Sequence, residues 1–98
     1  MITNVQTKII ELSSPVNDDK TKTLYEQIEL REPLLMQVEQ FFAVSAKESG
    51  LAGMRTLISL TGNISEQVVK HLSYTDFRSC QEYLLGFLNV TPSGRGEN

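Results

Sequence analysis

One cysteine, Cys80, and one histidine, His71, are all that this 98-residue chain holds of the two residue types most used in covalent and metal chemistry. A single cysteine excludes an intramolecular disulfide and makes a reducing cytoplasm the natural compartment. A structural zinc site needs Cys or His in closely spaced pairs, and the chain has none. A nucleophile system would have to be built on His71, whose neighbours Val68, Val69 and Leu72 read as the apolar side of a short helix with the imidazole at its polar edge. Cys80 stands between Phe77 and Leu84 at helical spacing and reads as a small core residue. Gly50, Gly53 and Gly62 lack the Lys-Ser/Thr companion of a phosphate loop. The carboxylates of Asp18 with Asp19, and of Glu29 beside Arg31, read as loop and strand surface. No catalytic residue, cofactor site or metal site is expected.

Clustered positive charge is missing as well. Net charge is −3 and the pI about 5.0. Residues 1–32 carry four Lys/Arg against six Asp/Glu, and residues 33–98 five against six. Phosphate binding works by counterion release from clustered Lys and Arg, so neither a nucleic-acid partner nor a membrane surface is expected. No apolar run approaches the roughly 20 residues that cross a bilayer. Met1 is followed by polar residues rather than a basic and then apolar stretch, so no secretory signal is expected. What remains is an acidic chain, 40% hydrophobic and 21% charged, of a length that suits one α+β domain over residues 1–89.

Two strands come first. Residues 5–12 are rich in β-branched side chains and stop at the turn formers Ser13-Ser14-Pro15-Val16-Asn17-Asp18-Asp19. Residues 22–31 alternate, with Leu24, Glu26, Ile28 and Leu30 on one side and Tyr25, Gln27, Glu29 and Arg31 on the other. Glu26 among the apolar set marks a strand end near solvent. Joined by a short polar loop, these make an antiparallel hairpin over residues 5–31, which needs a cover on its apolar face. The period changes at Glu32-Pro33, where proline fits the first turn of a helix. Helical spacing then runs through Leu34, Leu35, Val38, Phe41, Phe42 and Ser45. After an interruption at Lys47-Glu48-Ser49-Gly50 it resumes through Leu51, Met54, Leu57, Ile58 and Thr61 to a stop at Gly62-Asn63. Ile64, Val68, Val69 and Leu72 mark a short third helix, with Asn63 and Glu66 as its capping pair. Ser73 and Asp76 open a fourth, whose apolar face is Phe77, Cys80, Leu84, Phe87 and Leu88. The expectation is a hairpin followed by a bundle of about four helices over residues 33–89, no strand after Pro33, and a flexible tail over residues 90–98.

Leu30-Arg31-Glu32-Pro33, Leu57-Ile58-Ser59-Leu60-Thr61-Gly62, Val68-Val69 with Leu72, Asp76-Phe77 and Gly86-Phe87-Leu88, in that order, resemble the small tail assembly chaperones of contractile-tailed bacteriophages and Mu-like prophages. In that family small and acidic residues often follow the Arg-Glu-Pro turn. Here Leu34-Leu35-Met36-Gln37 follow, and the start of the first helix is unusually apolar. The resemblance implies a non-catalytic protein of the host cytoplasm, absent from the finished virion. Its partner would be the tape measure protein, held soluble while tail tube subunits polymerise around it. In related phages a ribosomal frameshift appends a second domain after a C-terminus of this kind.

The residues themselves point to protein binding without naming the partner. Leu34, Leu35, Met36, Phe41, Phe42, Leu51, Met54, Leu57 and Ile58 are more apolar side chains than two short helices over one ribbon need. Leu35, Phe42, Met54 and Ile58 are the candidate partner-binding anchors, and Met and Phe adapt well to varied apolar surfaces. Two other classes stand beside this one. The surplus could close a homo-oligomer or adaptor interface. A small DNA-binding regulator would need a basic recognition helix, and the last helix sets Arg78 against Asp76 and Glu82.

Overall fold

The computed structural model describes residues 7–88. Strands β1 (Thr7–Asp18) and β2 (Thr23–Arg31) form an antiparallel two-stranded sheet, and helices α1 (Leu35–Lys47), α2 (Gly50–Gly62), α3 (Glu66–Lys70) and α4 (Tyr74–Leu88) follow. The order is the α+β hairpin-then-helices arrangement that the single change of period predicts, with no strand among the described residues after Pro33. Val5, Gln6, Asn89 and the tail expected over residues 90–98 lie outside the described residues. Pro33 does not enter the first helical turn. Leu34 is the extended residue ahead of α1, and the Gln37 side chain turns back to accept its N–H at 2.9 Å.

The hairpin reverses over residues 19–22, where the Asp18 carboxylate accepts the Lys20 N–H at 3.0 Å and Lys22 takes a left-handed conformation, φ 57°. Ser13-Ser14-Pro15 is not the turn that its composition suggests. It lies inside β1, where residues 12–15 stand opposite the single residue Glu26, between the pairs Glu11–Gln27 and Val16–Tyr25. The irregularity shifts which side chains face inward. Ile10, Ile28 and Leu30 are buried on one side of it; on the other, Val16 is buried and Tyr25 packs against the core, while Leu24 is exposed. Leu24 therefore parts company with Ile28 and Leu30, with which strict alternation would group it.

Asp76 holds this bulge from outside the hairpin. Its carboxylate accepts the Ser13 N–H at 2.9 and 3.0 Å, the Ser13 hydroxyl at 3.0 Å and the Ser14 N–H at 3.2 Å. The Ser73 hydroxyl accepts the Asp76 N–H at 3.1 Å, which is one half of the capping pair read from the sequence. The other half is redirected, because the carboxylate serves the hairpin. Burial alone would raise the Asp76 pKa, but the hydrogen bonds from Ser13, Ser14 and Ser73 outweigh it and hold the carboxyl below its ordinary value.

Helix α2 is the centre of the molecule, in contact with α1, α3, α4 and β2. Met54, Leu57 and Ile58 share one core with Ile10, Ile28, Leu30, Val68, Val69, Phe77, Cys80 and Leu84. Leu88 is half-buried against it. Asn63 ends α2 in a left-handed conformation, φ 54°, and Ser65 rather than Asn63 caps α3, accepting the Val68 N–H at 3.2 Å. Asn suits a left-handed helix stop better than most residues, and that use takes it away from the next helix.

The α1–α2 crossing depends on Gly53. A Cβ there would lie 2.8 Å from the Phe41 carbonyl oxygen and collide with the Ser45 hydroxyl. Gly53→Ala is expected to push α1 outward and to cost about 1–3 kcal/mol, the scale of an overpacked contact, despite alanine's better helix propensity. Chemical denaturation checks the cost, and amide shifts along α1 check the displacement. A neutral or stabilising result would mean that α1 is not seated as described.

Candidate protein-interaction surface

Helix α1 forms because apolar residues recur along it at helical spacing, yet none of its thirteen residues is buried. Phe41, Val38 and Ser45 are half-buried, with Phe41 packed against the core. The flank beside that row has nothing over it among the described residues. Leu35 is 75% exposed, Met36 65% and Phe42 58%, with Leu34 and, at the start of α2, Leu51 similarly open. Phe42 keeps an edge-to-face contact with Phe41, centroids 5.1 Å apart, which steadies its ring on the surface. Glu39 and Lys47 are the only charged side chains on α1. The surface is therefore an apolar, nearly uncharged helix face carried on a folded core, suited to an apolar helix or loop of another protein.

The four anchors read from the sequence separate. Leu35 and Phe42 lie on the open face of α1. Met54 and Ile58, at 1% and 0% exposure, lie in the core on α2 and cannot meet a partner while the domain stays folded. Both helices are apolar on more than one side, and the sequence does not say which is sandwiched: α2 has the hairpin and α4 on one side and α1 on another, whereas α1 is outermost. Leu34, Met36 and Leu51, in the apolar surplus but not among the four, are exposed. The signal that singles out Leu34 and Met36 is the run Leu34-Leu35-Met36 itself, since three consecutive residues at a helix start cannot all face one neighbour.

Below Leu51 a shallow hollow opens between α2, α3 and α4, walled by Arg55, Val69, Leu72, Tyr74 and Phe77. Arg55 ties its rim together, 3.0 Å from Glu66 and 3.8 Å from Glu48. These pairs are exposed and contribute little to stability. His71 is exposed, and its Nδ1–H donates to the Gln67 carbonyl at 2.8 Å, which fixes the tautomer. Cys80 is fully buried. Burial first, and the nearby Asp76 charge second, push its thiol up to about 12, so it stays protonated. Among the described residues no three of His, Cys, Asp and Glu are grouped to hold a metal ion, and no helix is long and apolar enough to cross a membrane.

Comparison with known proteins places the chain. The model of the family described as "Phage tail assembly chaperone proteins, E, or 41 or 14" matches residues 9–89, which takes in nearly all of the hairpin and every helix. No curated protein and no solved structure matches the chain. The hairpin, the four helices and the uncovered face of α1 are thus the architecture of a member of the phage tail assembly chaperone family, to which this chain belongs.

Proposed function

We propose that the chain binds the tape measure protein of the tail and keeps it soluble during assembly, by laying apolar helical segments of that client against the open face of α1. The observation that carries this reading is a thirteen-residue helix with no buried residue that presents Leu35, Met36 and Phe42 to solvent. Family membership supplies the setting, a tail protein as partner. The role is non-catalytic: it consists of covering apolar surface that would otherwise aggregate. It is carried out in the host cytoplasm and ends before the virion is complete. Leu35 and Phe42 are the central anchors, flanked by Leu34, Met36 and Leu51, because a few large apolar side chains carry most of the energy of such a contact.

The test is co-expression with the tape measure protein of the same phage. Leu35→Ser and Phe42→Ser are expected to reduce the soluble client several-fold while shifting the variant's own unfolding free energy by less than about 0.5 kcal/mol, as surface changes do. Met54→Ser and Ile58→Ser are expected to lower the unfolding midpoint first and to lose the client only as a consequence. Full client solubility in the Leu35/Phe42 double variant would remove α1 from the interaction. Failure of the wild type to solubilise the client would remove the chaperone reading for this client.

A further inference from the structure

The two edges of the hairpin are treated differently by the rest of the chain. On β1 the N–H groups of Ser13 and Ser14 end on the Asp76 carboxylate, so α4 occupies part of that edge. On β2, among the described residues, no backbone group from Leu24 to Arg31 forms a hydrogen bond beyond those to β1. Antiparallel geometry turns half of those N–H and C=O groups outward, and an open row of this kind is a template for another strand.

We infer that β2 is a dimerisation edge, where two copies of the chain pair β2 to β2, antiparallel about a two-fold axis, into one four-stranded sheet of order β1-β2-β2-β1. A two-fold contact must be self-complementary, and the sequence of β2 meets that condition. Overlap of the whole strand, Thr23–Arg31, centres the axis on Gln27. It sets Leu24 opposite Leu30 of the second copy, Tyr25 opposite Glu29, Glu26 opposite Ile28 and Thr23 opposite Arg31. No like charges face each other in this register. Centring the axis on Glu26 or on Glu29 instead would oppose two carboxylates, which is unfavourable in a cross-strand pair. Two paired strands alone are marginal and four are an ordinary sheet. Because α1 is carried on α2, both open α1 faces remain for client, and the dimer is bivalent.

The experiment is sedimentation of the full chain over a range of concentrations. Wild type is expected at twice the 11.0 kDa chain mass. Gln27 is exposed and stands opposite Glu11 in the hairpin. Gln27→Lys therefore gains an opposite charge there while Gln27→Glu meets a like one, a difference that each variant's unfolding midpoint measures. Both place like charges across the axis and weaken dimerisation about tenfold or more. An equal mixture of the two variants is expected to recover the dimer, since Glu then faces Lys. A wild type that stays at the chain mass up to millimolar concentration overturns the proposal. So does a dimer that neither variant weakens, or one that Phe42→Ser abolishes, which would place the contact on α1. Client solubility plays no part in these readouts, so failure of the chaperone reading and failure of the dimer are told apart.

Discussion

Phe77→Ala is expected to cost about 3–5 kcal/mol of folding stability, the range for removing a large aromatic ring from a packed core. Phe77 sits one turn before Cys80 and two before Leu84 on the buried face of α4, in one cluster with Val69, Leu72 and the α2 side chains. Its ring stacks on Tyr74, centroids 5.9 Å apart. Tyr74 is exposed and cannot move in to fill the space without giving up that position. A domain of this size has about 5–15 kcal/mol in all, so the variant should be partly unfolded near body temperature. Urea denaturation checks it, and a loss below about 1 kcal/mol would mean that α4 does not pack on this core.

Asp76→Ala is expected to cost about 2–4 kcal/mol, although the side chain is small and polar. Its carboxylate is the shared acceptor for the N–H groups of Ser13 and Ser14 at the irregularity in β1. Removing it loses charge-assisted hydrogen bonds worth about 1.5–3 kcal/mol each, of which water recovers a part because Ser13 and Ser14 are exposed. Asp76→Asn keeps one carbonyl oxygen as acceptor and loses the charge, and should fall between wild type and the alanine variant. The pH dependence separates the two contributions. Because the folded pKa of Asp76 lies below its ordinary value of 3.8, the unfolded chain takes up the proton first as pH falls. The contribution of the charge is complete above the ordinary carboxylate range, declines as pH drops through 3.8, and is gone below the folded pKa. Wild type and Asp76→Asn should therefore differ at neutral pH and converge in acid. A gap that stays constant down to strongly acidic pH would show that the charge on Asp76 does not matter.

The legibility of the fold followed the range of the interactions that made each part. The change from period two to helical spacing at Glu32-Pro33 is local, and it marked the boundary between strands and helices correctly. Ser73 before Asp76 is local too, and marked the start of α4. The continuation of β1 through Ser13-Ser14-Pro15 was not readable, because the partner that satisfies those N–H groups is 63 residues away. Its spacing to Glu66 marks Asn63 as a cap for the following helix, whereas its left-handed conformation closes the preceding one. Ambiguity was greatest at the interaction surface. Leu35, Phe42, Met54 and Ile58 are alike in chemistry and spacing, and only the three-dimensional order of the layers puts α2 inside and α1 outside.

The most direct test of the open α1 face is amide hydrogen exchange measured on the chain alone and again in complex with its tape measure client. Protection is expected to rise across Leu35–Lys47 and at Leu51, with little change in the central turns of α2, where Met54 and Ile58 are already buried. Protection elsewhere, with the α1 amides exchanging as in the free chain, would contradict the assignment of α1 as the client-binding face.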